Sequence, residues 1–147
     1  NIKQKLVVLK RNYYTTTPYF CLTAQRAYEI NDTAYEYRLE ARAPNGSYIS
    51  HVETVVLSKT GTHENENAAT FITATGAKPV LRKLMTKNPK NAFFLLVETV
   101  QTPKGDKRGC QVLAKASKVS RRLPKKFEDV YKQQCPGDSV TLYDSSC

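Results

Sequence analysis

The stretch TAYEYRLEARAPNGSYISHVETVVLSK, residues 33–59, decides the fold. From Tyr35 to Arg42 it alternates strictly between apolar and charged side chains, which is the two-residue period of a strand with one buried face. Asn45-Gly46 follows, and an Asn-Gly pair between two such runs is a strong signal for a tight turn. Residues 48–59 then supply the returning strand, so this stretch predicts an antiparallel β-hairpin.

Six further segments have strand character and are separated by residues that favour turns. They are residues 5–14, 19–29, 68–75, 78–86, 91–100 and 109–117. With the hairpin they make eight strands at hairpin spacing, which predicts a mainly β protein built as a barrel or a sandwich. The chain has no internal repeat or flexible linker, so we expect one domain of residues 1–147.

One segment, residues 121–135, has the spacing of a helix instead. Its apolar side chains recur on one helical face, at Leu123, Phe127, Val130 and Tyr131. Pro124 suits the first helical position and Pro136-Gly137 ends the helix. Residues 139–143 then predict a short last strand.

The cysteines and sequons indicate an extracellular protein. The four cysteines form an even set without a C-x-x-C pair, which is typical of disulfides and allows three connectivities. Asn31-Asp32-Thr33 and Asn45-Gly46-Ser47 are candidate glycosylation sites in turn-like settings. No apolar run reaches the ~20 residues of a membrane helix. The start at Asn1 shows no signal peptide and suits a mature protein whose leader has been removed.

The net charge of +10 is concentrated in residues 104–126. Nine cations there surround one acid, Asp106; they are Lys104, Lys107, Arg108, Lys115, Lys118, Arg121, Arg122, Lys125 and Lys126. No nucleic-acid-binding motif accompanies them, so we expect no nucleic-acid partner. A solvated basic face is the simpler interpretation, and contact with a glycosaminoglycan or another anionic surface stays open as the alternative.

The sequence lacks the patterns of known catalysts. His51 and His63 are the two histidines, and the run from His63 to Asn67 lacks the second histidine of a zinc-peptidase motif. No G-x-S-x-G or phosphate-binding loop occurs. We therefore expect a binding protein, not an enzyme, with no cofactor and no metal.

Several short motifs support a more specific interpretation. They are LKRNYY (9–14), YFC (19–21), GCQVL (109–113), LP (123–124) and the tail pattern C…LY…C (135–147). With the order of eight strands, helix and short strand, they resemble the tick salivary lipocalins, the family that contains the histamine-binding proteins. Within it the japanin-like branch, which acts on dendritic cells, is the leading candidate. The resemblance implies an eight-stranded antiparallel lipocalin barrel around a small ligand, with the C-terminal helix packed outside.

The resemblance also implies how the cysteines pair. Cys21 on the second strand would bond Cys147, and Cys110 on the eighth strand would bond Cys135 at the end of the helix. The last residue of the chain would then be held against the barrel.

The chain departs from the amine-binding members of that family at two motifs. Those members carry Cys-Asp-(Val/Ile) on the seventh strand and Glu-Leu-(Trp/Tyr) on the eighth. The spacing to Cys110 puts the two motifs on residues 95–97 and 111–113. The motif's cysteine and its usual partner are replaced together, by Leu95 and Phe127, which supports this alignment.

These departures change the chemistry that the pocket offers. A buried amine needs a carboxylate partner, because an unpaired buried charge is very costly. The two acidic positions are Leu96 and Gln111, and the aromatic position is Leu113. We therefore predict a hydrophobic ligand such as a sterol, fatty acid or eicosanoid.

Eleven residues are the candidate ligand contacts. They are Tyr13, Tyr35, Tyr37, Leu39, Glu53, Phe71, Leu84, Phe94, Leu96, Gln111 and Leu113. Glu53 lies near a further amine-binding glutamate of the family, but apolar neighbours on both sides leave its direction undecided. An exposed position is the simpler interpretation for Glu53 and for Glu98. Alternatively, several of the tyrosines and leucines simply fill a small barrel.

From the resemblance we expect a secreted monomer that binds a hydrophobic ligand and modulates host immune or inflammatory responses. Two alternatives stay open. One is a scavenger of histamine or serotonin. The other is an immune modulator whose surface contacts a host immune-cell or plasma protein, for which residues 104–126 are the candidate region.

Overall fold

The structure is a computed structural model, and it describes residues 5–14, 18–62, 64, 66–73, 79–88, 90 and 92–147. The elements are β1 (Leu6–Arg11), β2 (Phe20–Glu29), β3 (Ala34–Arg42), β4 (Tyr48–Ser58), β5 (Ala68–Thr73), β6 (Val80–Lys87), β7 (Phe93–Thr102), β8 (Gly105–Lys115), a 3₁₀ turn (Ala116–Lys118), α1 (Lys125–Gln134) and β9 (Val140–Thr141). The predicted strand residues 74, 75, 78 and 91, and His63, lie outside the described residues.

The strands form a closed antiparallel barrel, which confirms the predicted fold class. Each strand from β2 to β7 pairs with the next one along the chain, and β8 pairs with β1. β1 closes the barrel by pairing with β2 through Leu6 with Ala24 and Val7 with Thr23. No helix in the described part of the chain is long and apolar enough to cross a membrane.

The connections alternate between two ends of the barrel because every neighbouring pair is antiparallel. The β1–β2, β3–β4, β5–β6 and β7–β8 connections lie at what we call the upper end. The β2–β3, β4–β5 and β6–β7 connections lie at the lower end, together with the start of β1 and the end of β8. These two names are kept below.

One strand boundary differs clearly from the prediction. β8 begins at Gly105 and not at Gly109, and it pairs with β7 from Thr102 onward across a two-residue turn. Gly105 has φ of +109°, which side chains disfavour, so the turn needs glycine there. The run Asp106–Arg108 is polar and has no apolar alternation, so pairing with β7 extends the strand where the sequence pattern suggests a loop.

The helix α1 covers one side of the barrel. It buries Phe127 and Tyr131 against a cluster on β7 and β8 that includes Phe93, Leu95 and Val112. The rings of Phe93 and Phe127 lie 6.2 Å apart between centroids. Burying an aromatic or leucine side chain of this kind contributes about 1.5–3 kcal/mol, so the apolar stripe read from the sequence anchors the helix.

Both disulfides implied by the resemblance are present, Cys21–Cys147 and Cys110–Cys135. The tail reaches Cys21 by running between β1 and β2. The Leu142 amide donates to the Leu9 carbonyl at 2.9 Å, and the Cys21 amide donates to the Leu142 carbonyl at 2.8 Å. Because Cys21 and Cys147 are 126 residues apart, their bond restricts a long loop of the unfolded chain and stabilises the fold by about 4–5 kcal/mol in the chain-entropy model.

Asn12, the residue after β1, joins three segments through one buried side chain. Its Nδ2 donates to the carbonyls of Arg108 at 3.0 Å and Pro136 at 2.9 Å, and its Oδ1 accepts from the Cys110 amide at 2.7 Å. Asn12 is only 1% exposed. The amide therefore ties the end of β1 to β8 and to the chain that leaves α1.

We expect Asn12→Ala to lower the free energy of unfolding by about 2–4 kcal/mol, because it leaves buried backbone groups without partners. Urea unfolding followed by circular dichroism measures this loss. Asn45→Ala is the control, because Asn45 Oδ1 accepts two hydrogen bonds, from the amide and the hydroxyl of Ser47, in an exposed turn. Equal losses in the two variants would show that the Asn12 contacts contribute no more than a surface turn.

Candidate functional site

The two faces of β7 and β8 bury different groups. Leu95 and Val112 face α1 in the outer cluster. Phe94 and Leu113 are paired across the two strands, and their side chains lie on the opposite face. There they belong to a second cluster with Val8 of β1. Because side chains alternate along a strand, this second face is the barrel interior.

The inner cluster is apolar and lies toward the lower end. Leu84 and Leu96 are opposite each other on β6 and β7 and pack on it, as does Leu22 of β2. Leu142 of the tail is buried in the same cluster. This part of the interior offers a hydrocarbon surface.

Above the apolar cluster, the same inner face carries polar groups. Arg11 pairs with Gln111 and Leu96 is opposite Gln111, so all three share the interior. The Arg82 guanidinium donates from Nε to Glu98 Oε2 at 3.0 Å, and the Glu98 side chain is only 8% exposed. Arg82 also lies over the Phe71 ring, 4.6 Å from its centroid, a favourable cation–π geometry. We call Arg82, Glu98, Tyr13 and Gln111 the polar band.

Tyr13 connects the two halves of the polar band. Gln111 Nε2 donates to the Tyr13 hydroxyl. Burial, followed by the charge of Glu98 and a hydrogen bond to it, raises the pKa of Tyr13 to about 12. The Tyr13 ring has room because residue 109 is glycine: an added Cβ would stand 3.1 Å from this ring and 2.3 Å from Val100. Gly109 thus permits the close approach that puts the Tyr13 hydroxyl inside the barrel.

The opposite wall, formed by β2–β4, holds a second polar group. Tyr37 pairs with Glu53, and Tyr35 with Val55, on the inner face. Glu53 is 9% exposed and its Oε1 lies 3.5 Å from Nε2 of His51. The Arg26 guanidinium lies 4.6 Å from the centroid of the Tyr35 ring. Burial raises the pKa of Tyr37.

The interpretation of Glu53 and Glu98 as exposed residues is wrong. Both are largely buried and both lie on inward rows of the sheet, since Glu53 is opposite Tyr37 and Glu98 is opposite Gly109. The direction of Glu53 could not be decided from the pattern, because Val52 and Val55 lie in opposite alternating rows and both rows are therefore apolar. Burial of Glu98 is possible because Arg82 neutralises it.

All eleven candidate ligand contacts lie on the inner side of the barrel. Ten do so by strand register and Tyr13 by its bond to Gln111. Their contact with a ligand stays a prediction. The hydroxyl of Tyr35 donates to the Asp32 carbonyl at 3.1 Å, so this tyrosine is directed to the lower end.

Three inward arginines were missed, Arg11, Arg26 and Arg82. A signal existed for Arg82, since it lies two residues before the predicted contact Leu84. Arg11 was unpredictable, because a register shift between Val8 and Lys10 reverses the alternation of β1. Only the pairing with β8 reveals that shift.

A separate groove of about 430 Å³ lies outside the barrel, beneath the C-terminal tail. Val7, Thr23 and Glu40 line it, and the first two are paired on the outer face. None of the eleven candidates lines it. No group of three or more potential metal ligands occurs among the described residues.

Comparisons with known proteins identify the fold. No protein-family model and no curated protein sequence matches this chain. Similar solved structures include japanin from Rhipicephalus appendiculatus bound to cholesterol, with a TM-score of 0.70, 15% identity, and 99% of this chain and 96% of that chain covered. They also include lobster apocrustacyanin A1, with a TM-score of 0.68, 10% identity, and 98% of this chain and 78% of that chain covered. The siderocalin Ex-FABP is similar as well, with a TM-score of 0.62, 10% identity, and 97% of this chain and 94% of that chain covered.

The chain therefore has the lipocalin fold, a closed antiparallel barrel with a C-terminal helix. At these identities the likeness establishes the fold. The resemblance read from the sequence is supported, since a tick lipocalin of the japanin branch is among the similar structures.

We expect the raised pKa of Tyr13 to make stability fall at high pH. The folded-state pKa of about 12 exceeds the ordinary value of 10.0. The stabilisation from the buried, neutral Tyr13 is therefore fully present below pH 10 and is lost as the pH rises toward 12. The loss is about 2–3 kcal/mol from this group. Urea unfolding at pH 9 and pH 11 measures the first half of this loss, about 1.4 kcal/mol, because pH 11 is still below the folded-state pKa.

Tyr13→Phe should lose less stability over this interval than the wild type. Tyr14→Phe, which changes a neighbour that is 78% exposed, should behave like the wild type. Identical pH dependence in all three proteins would show that the Tyr13 hydroxyl is not held in this environment.

Proposed function

We propose that this protein binds a small, largely apolar ligand with one polar group inside its barrel. The observation that carries the proposal is that the wall formed by β1 and β6–β8 has an apolar cluster toward the lower end and a polar band above it. Ligand pockets of this type combine apolar walls with a few orienting polar groups. An amphipathic molecule would put its hydrocarbon body against the cluster and its polar end at the band.

The charges of the band favour a neutral polar end. Arg82 and Glu98 satisfy each other, and Arg11 Nε donates to the Tyr13 carbonyl at 3.0 Å. An ionised ligand would have to compete with these partners and lose its own hydration. A hydroxyl group needs one donor and one acceptor, which Gln111 and Tyr13 supply. A sterol fits this description, and japanin, a structure of the same fold, is bound to cholesterol.

The biological role that we propose follows the resemblance to tick salivary lipocalins. The protein would be secreted into the feeding lesion, glycosylated at Asn31 and Asn45, and would suppress host immune or inflammatory responses. Both asparagines are exposed, which glycosylation requires. The role would be exerted either by ligand capture or by surface contact with a host protein. Comparing pocket-blocked with surface-charge variants in a dendritic-cell assay separates these two routes.

Organic extraction of the purified protein followed by mass spectrometry tests ligand binding directly. A sterol recovered in stoichiometric amount would support the proposal. A barrel that yields no lipid and binds no added cholesterol would contradict it, and the interior side chains would then be packing alone.

We expect Leu96→Asp to weaken cholesterol binding by about ten- to hundredfold, because it removes a leucine from the wall and puts a carboxyl group in apolar surroundings. Fluorescent sterol displacement measures the affinity. Thr99→Asp on the same strand is the matched control, since Thr99 is exposed on the outer face. Thermal melting confirms that both variants fold. Unchanged affinity in Leu96→Asp would exclude this wall from the site.

A biogenic-amine ligand is the second candidate, and the buried position of Glu53 beside Tyr37 favours it. A carboxyl group on an inner wall next to tyrosine rings is what a protonated amine requires. We expect calorimetry to show no micromolar binding of histamine or serotonin, because Leu96 and Gln111 supply no second carboxylate and Arg82 already neutralises Glu98. Micromolar binding that Glu53→Gln abolishes would replace the sterol proposal with the amine.

A further inference from the structure

The lower end of the barrel brings together cations from two distant parts of the chain. A groove of about 330 Å³ lies between the β6–β7 connection and the segment before α1. Lys90 lines one side, and Arg121 and Arg122 line the other. We call this the lower groove. The sequence separates these cations by about thirty positions, so their common site arises from the fold alone.

Among the residues that the structure describes, no acid lines the lower groove. Its described lining residues contain no Asp or Glu; they are Asn88, Lys90, Ala92, Phe93, Arg121, Arg122 and Pro124. Within the described part of the chain, the ion pairs are His51 with Glu53 and Arg82 with Glu98, and neither includes a groove cation. Lys90, Arg121 and Arg122 are all exposed, so their charge is available to a partner.

Further cations extend the positive surface on both sides. Lys87 ends β6, and Lys125 and Lys126 begin α1, and all three are exposed. No acid occurs between Asp106 and Glu128. Clustered charge of one sign raises the local potential and concentrates counter-ions of the opposite sign. The surface thus fits a partner with several negative charges in a row.

We propose that the lower groove binds a sulfated glycosaminoglycan chain. The groove offers cations on two walls, which suits a narrow polyanion lying between them. An anionic membrane fits less well, because none of the large exposed apolar side chains of the described residues lines the groove. A nucleic acid fits less well too, since no exposed aromatic side chain lines the groove for base stacking.

The position of the lower groove keeps this interaction separate from the barrel interior. The groove lies at the lower end, whereas the polar band lies toward the upper end. A glycan bound below therefore leaves the upper end uncovered. The protein would be retained on extracellular matrix while its barrel stays able to take up ligand.

Heparin binding measured at several NaCl concentrations tests the proposal. We expect the wild type to bind at 150 mM NaCl. Arg121→Gln/Arg122→Gln should weaken binding about tenfold and reduce the slope of log affinity against log salt by about two, since two ion contacts are lost. Lys90→Gln, on the opposite wall, should reduce the slope by about one.

A matched control removes the same charge elsewhere. Lys104→Gln/Lys132→Gln lowers the net charge by two at an upper-end turn and near the end of α1, and it should keep most of the affinity. Equal loss in the two double variants would mean that net charge alone attracts heparin, and would overturn the lower groove as the site. Absence of wild-type binding at 150 mM NaCl would overturn the proposal as well.

Two competing partners are measured alongside. Tighter binding to phosphatidylserine vesicles, or to single-stranded DNA, than to heparin would contradict a glycan partner. Cholesterol affinity should be the same for all variants with and without heparin. This readout makes the glycan proposal independent of the ligand proposal, since either can fail alone.

Discussion

The side-chain amide of Asn12 is the contact on which the architecture converges. It is buried where β1 ends, and it bonds the backbone of β8 on one side and of the chain after α1 on the other. An asparagine suits this place because it both donates and accepts within one planar group. The Cys110–Cys135 disulfide joins the same two segments. The helix, the barrel and the segment that leads to Tyr13 are therefore held together at one junction, which consists of the Asn12 hydrogen bonds and the Cys110–Cys135 disulfide.

The junction has a consequence for the interior. β1 shifts its register between Val8 and Lys10, so Lys10 faces outward over the Tyr131 ring, 4.5 Å from its centroid, while Arg11 faces inward. The next two residues then place Asn12 at the junction and Tyr13 in the polar band. A single irregularity in one strand thus positions both the structural amide and a hydroxyl inside the barrel. The LKRNYY motif carries these roles in consecutive residues.

The interior separates two kinds of chemistry by height. Along β1 and β6–β8, the apolar cluster lies where the tail adds Leu142 through the gap between β1 and β2, and the Arg82–Glu98 pair lies above it. Buried charges of this kind are stable inside a barrel only when they are paired with an opposite charge. The arrangement favours a ligand whose polar part is neutral and terminal. It also means that the interior is not wholly apolar, although Leu96 carries no polar group and Gln111 carries no charge.

Much of this protein was determined by the sequence alone. Strict alternation, turn residues and a helical stripe predicted eight strands and a helix, because period and turn chemistry are local properties. The inward direction of the candidate contacts on β3 and β5–β8 followed from alternation together with the family motifs. The directions of Glu53, Glu98 and Arg11, and the start of β8, were decided by the tertiary structure. Strand register, a β-bulge and a buried ion pair set them, and these depend on partners far away in sequence. The lower groove arises in the same way, because the antiparallel pairing of β7 with β8 brings Lys90 beside Arg121 and Arg122.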